Sequence, residues 1–304
     1  MLRIFLGLVF LASASAKLMD IDHVELYVYG LGLFSFDQST VIIRLVISAE
    51  LFLGLGLVIG LFKRLIWWLS LLLLLFFTLF LIADEAFGSG ENCNCFGTFL
   101  SMKPWLSITR NLFLILLLFF CRQHNVRKKP WFNWIGAAIL LSGVVIPFIL
   151  SPPDFIYFKA SAVEPGSLFT YHHCSDDARQ TLDSLFAEHP LNGKKALCFY
   201  TTKCEFCQKL ARKMSIMANR YDFREQVLII YAGSPETFKE FSATSHSATI
   251  PAVAVPLRDL IRLTKGDLPT ILVVEDSAIL YRFGYRDLSE RDVSNFFRTP
   301  GVQP

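Results

Sequence analysis

Long apolar stretches dominate the first half of this chain of 304 residues. Each is close to the length of about 17–25 residues that a helix needs to cross a lipid bilayer. The stretches are Met1–Ala16, Ile42–Phe62, Leu65–Ala83, Pro104–Cys121 and Trp131–Leu150. A hydrophobic fraction of 53% and a mean hydropathy of +0.46 exceed those of an ordinary soluble protein. We therefore predict a helical membrane bundle followed by a domain in water.

The first stretch has two interpretations. Arg3, an apolar centre and the small residues Ala14-Ser15-Ala16 fit a cleaved signal peptide. The same residues fit a first membrane helix that ends at Lys17. The pattern of residues alone leaves both open.

Basic residues lie in alternate turns between the apolar stretches, and such segments stay cytoplasmic. They are Arg3, Lys63-Arg64, Arg122 and residues 127–129. The N-terminus is thus predicted inside a bacterial cytoplasmic membrane, and residues after Leu150 on the periplasmic side, whether or not the first stretch is removed. A net charge of +3 without a clustered basic and aromatic patch argues against nucleic-acid binding.

A C-x-x-C motif lies in the second half, at Cys204 and Cys207. The apolar run 197–200 before it predicts a buried strand, and apolar residues at helical spacing after it predict a helix. A helix N-terminus favours an anion, and such a position lowers the pKa of a thiol. We expect Cys204 to attack as the thiolate and Cys207 to resolve the mixed disulfide. Half of a zinc site and two core cysteines are the alternatives; Cys198 is interpreted as a core residue.

Strand and helix patterns alternate after the motif. Strands are predicted at Val227–Tyr231, Thr270–Val274 and Ala278–Phe283, and a helix at Leu288–Phe297. Over about residues 190–300 this pattern resembles the thioredoxin family in its membrane-anchored, TlpA-like branch. The resemblance implies a thioredoxin-like α/β fold in which Leu268 and Pro269 form a cis-proline loop that faces Cys204 and binds substrate peptide. Lys203 and Glu205-Phe206 depart from the family's usual Trp and Gly-Pro, which leaves the redox potential open.

A second cysteine pair, Cys93 and Cys95, lies in the outer turn between the third and fourth apolar stretches. A disulfide between cysteines two apart has strained geometry, and strain makes it easier to reduce. The pair therefore suits transient electron exchange. A metal-binding pair and two free thiols are the alternatives.

Residues 1–122 resemble the MauE/DoxX-like membrane family. The matching features are Lys17-Leu18-Met19-Asp20, Glu50 within the second stretch, Cys93-Asn94-Cys95-Phe96-Gly97, and Arg110-Asn111. The family usually has Gly where Asn94 stands. The resemblance implies a four-helix bundle, favours retention of the first stretch as a helix, and associates the chain with redox chemistry and disulfide formation in exported proteins. Its DoxX relatives imply a quinone as electron acceptor; no covalently bound cofactor and no metal are expected.

Glu50 and Arg110 are the polar candidates within the apolar stretches. A carboxylate inside a membrane span is costly and is a functional candidate by default. The alternative is an ion pair with Arg44 or Arg110 that holds two helices together.

These observations predict four parts. Residues 1–122 form the MauE/DoxX-like bundle, 123–150 a fifth membrane helix with its cytoplasmic loop, 151–190 a linker, and 191–304 the thioredoxin-like domain. The favoured hypothesis is a membrane thiol–disulfide oxidoreductase that exchanges electrons with cysteine-containing exported proteins and between its two cysteine pairs. An extracytoplasmic disulfide reductase and a non-catalytic assembly factor or metallochaperone are the alternatives.

Overall fold

The computed structural model describes residues 1–60, 62–87, 104–121, 130–157, 161–162 and 167–297. The chain divides into two compact units, Met1–Pro153 and Asp154–Pro304. Cys93 and Cys95 lie outside the described residues, as do Arg122 and the basic residues 127–129.

Helices build the N-terminal unit. They are α1 (Leu2–Met19), α2 (Ile21–Gly30), α3 (Phe36–Ile59), α4 (Lys63–Phe87), α5 (Pro104–Phe120) and α6 (Pro130–Leu150). Within the described residues α1, α3 and residues 63–86 of α4 are long and apolar enough to cross a membrane, while the apolar parts of α5 and α6 are shorter. Each predicted stretch is thus a helix, and α2 is an additional helix in the turn between the first two.

Small residues let α1 and α3 pack closely. A Cβ atom added at Gly7 would lie 2.8 Å from the carbonyl oxygen of Gly54, and one added at Gly54 would lie 2.8 Å from the side chain of Leu11. Such contacts bring two helix backbones together, as is common in membrane bundles. Side chains then tie the other helices in. The indole N–H of Trp67 on α4 donates to the carbonyl of Leu118 on α5, at 2.8 Å.

The C-terminal unit is an α/β domain. Its described helices are α7 (Asp154–Tyr157), α8 (Asp176–Glu188), α9 (Glu205–Arg220), α10 (Pro235–Thr244), α11 (Leu257–Thr264) and α12 (Glu290–Phe297). Its described strands are β1 (Ser161–Ala162), β2 (Lys194–Thr201), β3 (Val227–Ala232), β4 (Ala252–Ala254), β5 (Thr270–Glu275) and β6 (Ala278–Phe283). They form one sheet in the order β1-β6-β5-β2-β3-β4.

Strand β2 lies in the middle of the sheet. It pairs parallel with β3 and antiparallel with β5, and β5 pairs antiparallel with β6. Leu197 and Phe199 belong to the hydrophobic core shared with α8 and α11. Because side chains alternate along a strand, Cys198 and Tyr200 face the opposite side of the sheet.

The predicted mixed α/β fold is confirmed, and the three predicted strands after the motif lie within one residue of the observed ones. Helix α8 is the main difference, because it lies within residues 151–190. Its N-terminus is capped by Ser175, whose side chain accepts from the N–H of Ala178. Ala178 and Leu182 are fully buried in the core. Residues 176–188 are therefore part of the folded domain.

We predict that Leu182→Ala destabilises the C-terminal unit by about 2–5 kcal/mol, because it removes a fully buried side chain and leaves a cavity. Pulse proteolysis of the full chain in detergent across a urea series would measure the change. The control is Ser184→Ala, which alters an exposed position of the same helix. An equal midpoint for the two variants would contradict a structural role for α8.

Candidate functional site

The C-x-x-C motif lies where the chain leaves the central strand. β2 ends at Thr201, whose carbonyl accepts from the N–H of Cys204 at 3.2 Å. Cys204 is the N-cap residue of α9, and its sulfur accepts from the N–H of Cys207 at 3.2 Å. Three residues on, Cys207 lies in the first turn. Both side chains are free thiols in this structure.

The two thiols differ in access to solvent. Cys204 is partly exposed, whereas Cys207 is fully buried. Burial, followed by the hydrogen bond with Cys204, raises the pKa of Cys207 to about 12. The N–H of Thr201 donates to its sulfur at 3.5 Å, and the hydroxyl of Thr201 lies 3.7 Å from it. Cys204 is therefore the thiol that another molecule can reach.

The residues between the cysteines have their own partners. Glu205, which would oppose a thiolate at Cys204, forms an ion pair with Lys209 at 2.8 Å. The ring of Phe206 is half exposed and lies 5.2 Å from that of Tyr285. An apolar surface is thus available beside Cys204.

Two further segments position the motif. The peptide bond between Leu268 and Pro269 is cis, as predicted. Thr270 pairs with Phe199 across the sheet, so Pro269 lies at the end of β2 from which the motif departs. After β3, Gly233 admits close contact with the motif loop, since a Cβ atom there would lie 2.1 Å from the hydroxyl of Thr202.

The sequence drew no attention to Tyr200. It is fully buried beneath the motif, on the same face of β2 as Cys198. Burial raises the pKa of Cys198 to about 12. From the sequence, the position of Tyr200 could be predicted only from the alternation of side chains along the strand that precedes the C-x-x-C motif.

In the helical unit, Glu50 of α3 forms a buried ion pair with Lys17 of α1. The Lys17 ammonium lies 2.7 and 2.9 Å from the two carboxylate oxygens, and 2.6 Å from the hydroxyl of Ser13. Both charged residues are buried. A charged side chain inside a helical bundle needs such a partner, because removing the charge from water costs more free energy than most single interactions supply.

The alternative interpretation of Glu50 is an ion pair with Arg44 or Arg110, and for Arg44 that alternative is wrong. Arg44 is paired with Glu25 of α2 at 2.5 Å, and also donates to the carbonyls of Ser151 and Pro152. The physical reason is helical geometry. Glu50 lies six positions after Arg44, and at about 100° per residue the two side chains point roughly 120° apart.

Arg110 lies on the wall of a cavity that it shares with Glu50 and Lys17. The cavity has a volume of about 50 Å³. Its lining is completed by Val9, Phe10, Ser13, Leu74, Phe77, Leu81, Asn111 and Leu114. A water needs roughly 10–15 Å³ of such volume, while a benzene-binding cavity measures roughly 150 Å³. In this structure the cavity therefore suits a few waters and is too small for an aromatic ring.

We predict that removing one partner of the pair, in Lys17→Met or Glu50→Leu, lowers the stability of the bundle by about 3–5 kcal/mol, since it leaves a buried charge alone. The double replacement should recover most of the loss. Unfolding in detergent, followed by circular dichroism, measures both effects. Additive losses in the double variant would show that the two side chains do not stabilise the bundle as a pair.

Comparison with known proteins supports this two-part organisation. Residues 1–122 match the family described as methylamine utilisation protein MauE. The protein TlpB of Flavobacterium psychrophilum is 25% identical over 295 residues, covering 80% of this chain and 80% of its own.

Two solved structures show a weak likeness to about a third of the chain. A secreted disulfide oxidoreductase of Mycobacterium tuberculosis is 15% identical, covers 35% of this chain and 82% of its own, and has a TM-score of 0.30. The thioredoxin domain of a thiol-disulfide oxidoreductase of Bacteroides vulgatus is 16% identical, covers 35% and 79%, and has a TM-score of 0.30. TM-scores this low carry no argument about the fold. The description of the fold depends on the strand order and the cis peptide bond before Pro269. The chain thus joins a helical region, of which residues 1–122 match the MauE family model, to a mixed α/β domain that resembles thioredoxin-like folds.

Proposed function

We propose that this protein is a membrane-bound thiol–disulfide oxidoreductase of the bacterial cytoplasmic membrane, with its thioredoxin-like domain on the periplasmic side. The observation that supports it best is the pairing of a reachable Cys204 at a helix N-terminus with a buried Cys207 in the first turn of the same helix. Such a pair separates the roles of attacking and resolving thiol. The orientation rests on the basic turns of the sequence.

In the oxidising direction, the Cys204–Cys207 disulfide accepts a thiolate from an exported protein at the Cys204 sulfur. The S–S bond between Cys204 and Cys207 breaks as the bond between substrate and Cys204 forms. A second substrate thiol then attacks the substrate's own sulfur and releases Cys204. Two electrons and two protons leave the substrate, which gains a disulfide, and the C-x-x-C becomes a dithiol.

The dithiol is reoxidised by the second cysteine pair. The Cys204 thiolate attacks the Cys93–Cys95 disulfide, and Cys207 resolves the resulting bond, so that Cys93 and Cys95 become the dithiol. Two pairs on one chain meet at high effective concentration. A strained C-x-C disulfide is the more oxidising of the two, and a gap of about 30 mV gives about a tenfold bias for two electrons.

A quinone of the membrane would, if bound, supply the two-electron oxidant that returns Cys93 and Cys95 to the disulfide. Glu50 and Arg110 are the polar residues proposed to serve this step. The cavity of about 50 Å³ that they line would have to widen to admit a quinone ring. A role in proton transfer through water is therefore the better fit to its present size.

We predict that Cys207→Ser traps Cys204 in mixed disulfides with partner proteins, because the resolving thiol is gone. Non-reducing gels of membranes from alkylated cells would show adducts that disappear on reduction. The matched control is Cys198→Ser, which removes another buried cysteine, in strand β2, and should give no adducts. Absence of adducts together with stoichiometric copper or zinc in the purified protein would favour the metallochaperone.

The direction of electron flow is tested by replacing Cys93 and Cys95 with Ser. We predict that Cys204 and Cys207 then accumulate as the dithiol in cells, because their oxidant is lost. Thiol trapping followed by mass spectrometry measures the fraction reduced. Accumulation of the oxidised form would identify the protein as a reductase, and an unchanged ratio would show that the pairs do not exchange electrons.

A further inference from the structure

A cavity of about 390 Å³ lies in the C-terminal unit. The segment before α8, the end of α11, and strands β5 and β6 all contribute to its wall. Leu272 of β5 lines the cavity and belongs to the core shared with α8 and α11, so the cavity lies on that face of the sheet. Its volume falls within the roughly 300–1,000 Å³ that is usual for small-molecule sites, and it exceeds the roughly 150 Å³ that binds benzene.

The inner wall of the cavity is apolar and firmly held. Phe169 and Leu272 are buried, and Ile279 packs against the same core. The segment that carries Phe169 is fixed to the start of β6. The N–H of Phe169 donates to the carbonyl of Ser277 at 2.9 Å, and the N–H of Ile279 donates to that of Ser167 at 2.8 Å. Backbone hydrogen bonds thus hold a preformed surface against which an apolar group can bind.

The rim of the cavity is positively charged. Arg262 lines it from the last turn of α11 and Lys265 from the C-cap of that helix, and both residues are exposed. Arg282 contributes a third cation from β6. Among the described residues that line the cavity there is no carboxylate. The cavity therefore combines an apolar wall with a cationic rim.

Arg282 is already engaged by the fold. Its guanidinium donates to the carbonyl of Thr264 in the last turn of α11 and forms an ion pair with Asp267 at 2.9 Å. The last carbonyls of a helix lack partners within the helix and need such a donor. Arg282 therefore stabilises the end of α11, and its charge is offset by that of Asp267.

Arg262 and Lys265 keep donors for a ligand. One terminal nitrogen of Arg262 lies 3.2 Å from the carbonyl of His173 and 3.5 Å from the carboxylate of Asp259. A guanidinium carries five N–H donors, so others remain. The Asp259 carboxylate is itself held by the N–H and the hydroxyl of Ser175, at 3.0 and 2.7 Å. In the described part of the chain no group accepts from the Lys265 ammonium.

We propose that this cavity binds a small organic acid, whose carboxylate is held by Arg262 and Lys265 while its apolar body lies against the inner wall. The proposal does not depend on the proposed thiol–disulfide exchange. A guanidinium matches a carboxylate with two parallel hydrogen bonds, and Lys265, three positions on, adds a second positive charge. Contact with Phe169, Leu272 and Ile279 removes the apolar body from water, which favours binding.

The balance of charge at the rim favours a ligand with a single negative charge. Asp267 offsets Arg282, and Asp259 lies beside Arg262, so the positive excess is small. A carboxylate brings one negative charge, whereas a phosphate ester brings about two at neutral pH. The volume admits an apolar body of one or two aromatic rings.

Cys174 makes the occupancy of the cavity measurable, because this buried residue lies on its wall. The full chain in detergent is treated with N-ethylmaleimide, and alkylation of Cys174 is followed by mass spectrometry. At about ten times its dissociation constant, 1-naphthylacetate should slow this reaction about tenfold. The uncharged 1-naphthylacetamide has nearly the same shape and should need about a fivefold higher concentration for half-protection, because it lacks the ionic contacts.

Arg262→Gln and Lys265→Gln should each raise the concentration for half-protection about threefold to fivefold, since each removes one exposed charge. The matched control is Arg258→Gln, which removes an exposed cation of the same helix that does not line the cavity and should keep the parental value. Absence of protection in the parent, equal potency of the acid and the amide, or parental protection in the double variant would overturn the proposal. Stronger protection by 1-naphthyl phosphate would overturn it in favour of a phosphate ester.

Discussion

The pairing of β2 on both of its edges is the constraint on which the thiol site depends. β3 fixes one edge, with Tyr200 opposite Tyr231, and β5 fixes the other, with Phe199 opposite Thr270. The register determines where the chain leaves the sheet and therefore where α9 begins. A slip of one residue would turn Tyr200 toward the core of α8 and α11 and send Phe199 to the motif side. The chemistry at Cys207 is thus set by backbone hydrogen bonds along the strand that precedes it.

In the helical unit, the corresponding constraint is the cost of charge in an apolar bundle. Among the described residues, α3 carries the ion pairs Arg44–Glu25 and Glu50–Lys17. The first ties α3 to α2, and the second ties α3 to α1. Because each pair breaks if α3 rotates about its axis, the two together fix the face that α3 presents to its neighbours. The close contact at Gly7 and Gly54 is possible only with that rotation.

Much of this fold could be predicted from the sequence, because its signals are local. The apolar stretches and the strands around the motif each follow from a few neighbouring residues, and the cis bond before Pro269 was implied by the resemblance to the thioredoxin family. Helix α8 also left a signal, in Ser175 as N-cap and in Ala178, Leu182 and Leu185 at helical spacing. The Ser-Pro-Pro sequence from Ser151 and the Glu-Pro-Gly sequence from Glu164 suggested a linker instead. The partner of Glu50 could not be predicted. The partner depends on which helix packs against α3 and on how far the two helices are shifted along their axes. No single stretch of sequence determines either.

The order of events at the thiol pair follows from the difference in access between its members. A partner protein can reach only Cys204, because Cys207 is fully buried. Any intermolecular disulfide therefore forms at the first cysteine. Resolution is then intramolecular, since the sulfur of Cys204 already accepts from the N–H of Cys207 and the two residues share one helical turn.

Burial protects the Cys207 thiol from unwanted partners but opposes its ionisation. A site built in this way needs uncharged donors around the buried sulfur, because a buried counter-charge would itself require a partner. The N–H of Thr201 donates to the sulfur at 3.5 Å, and its hydroxyl lies 3.7 Å away, so uncharged groups of the motif loop meet that need.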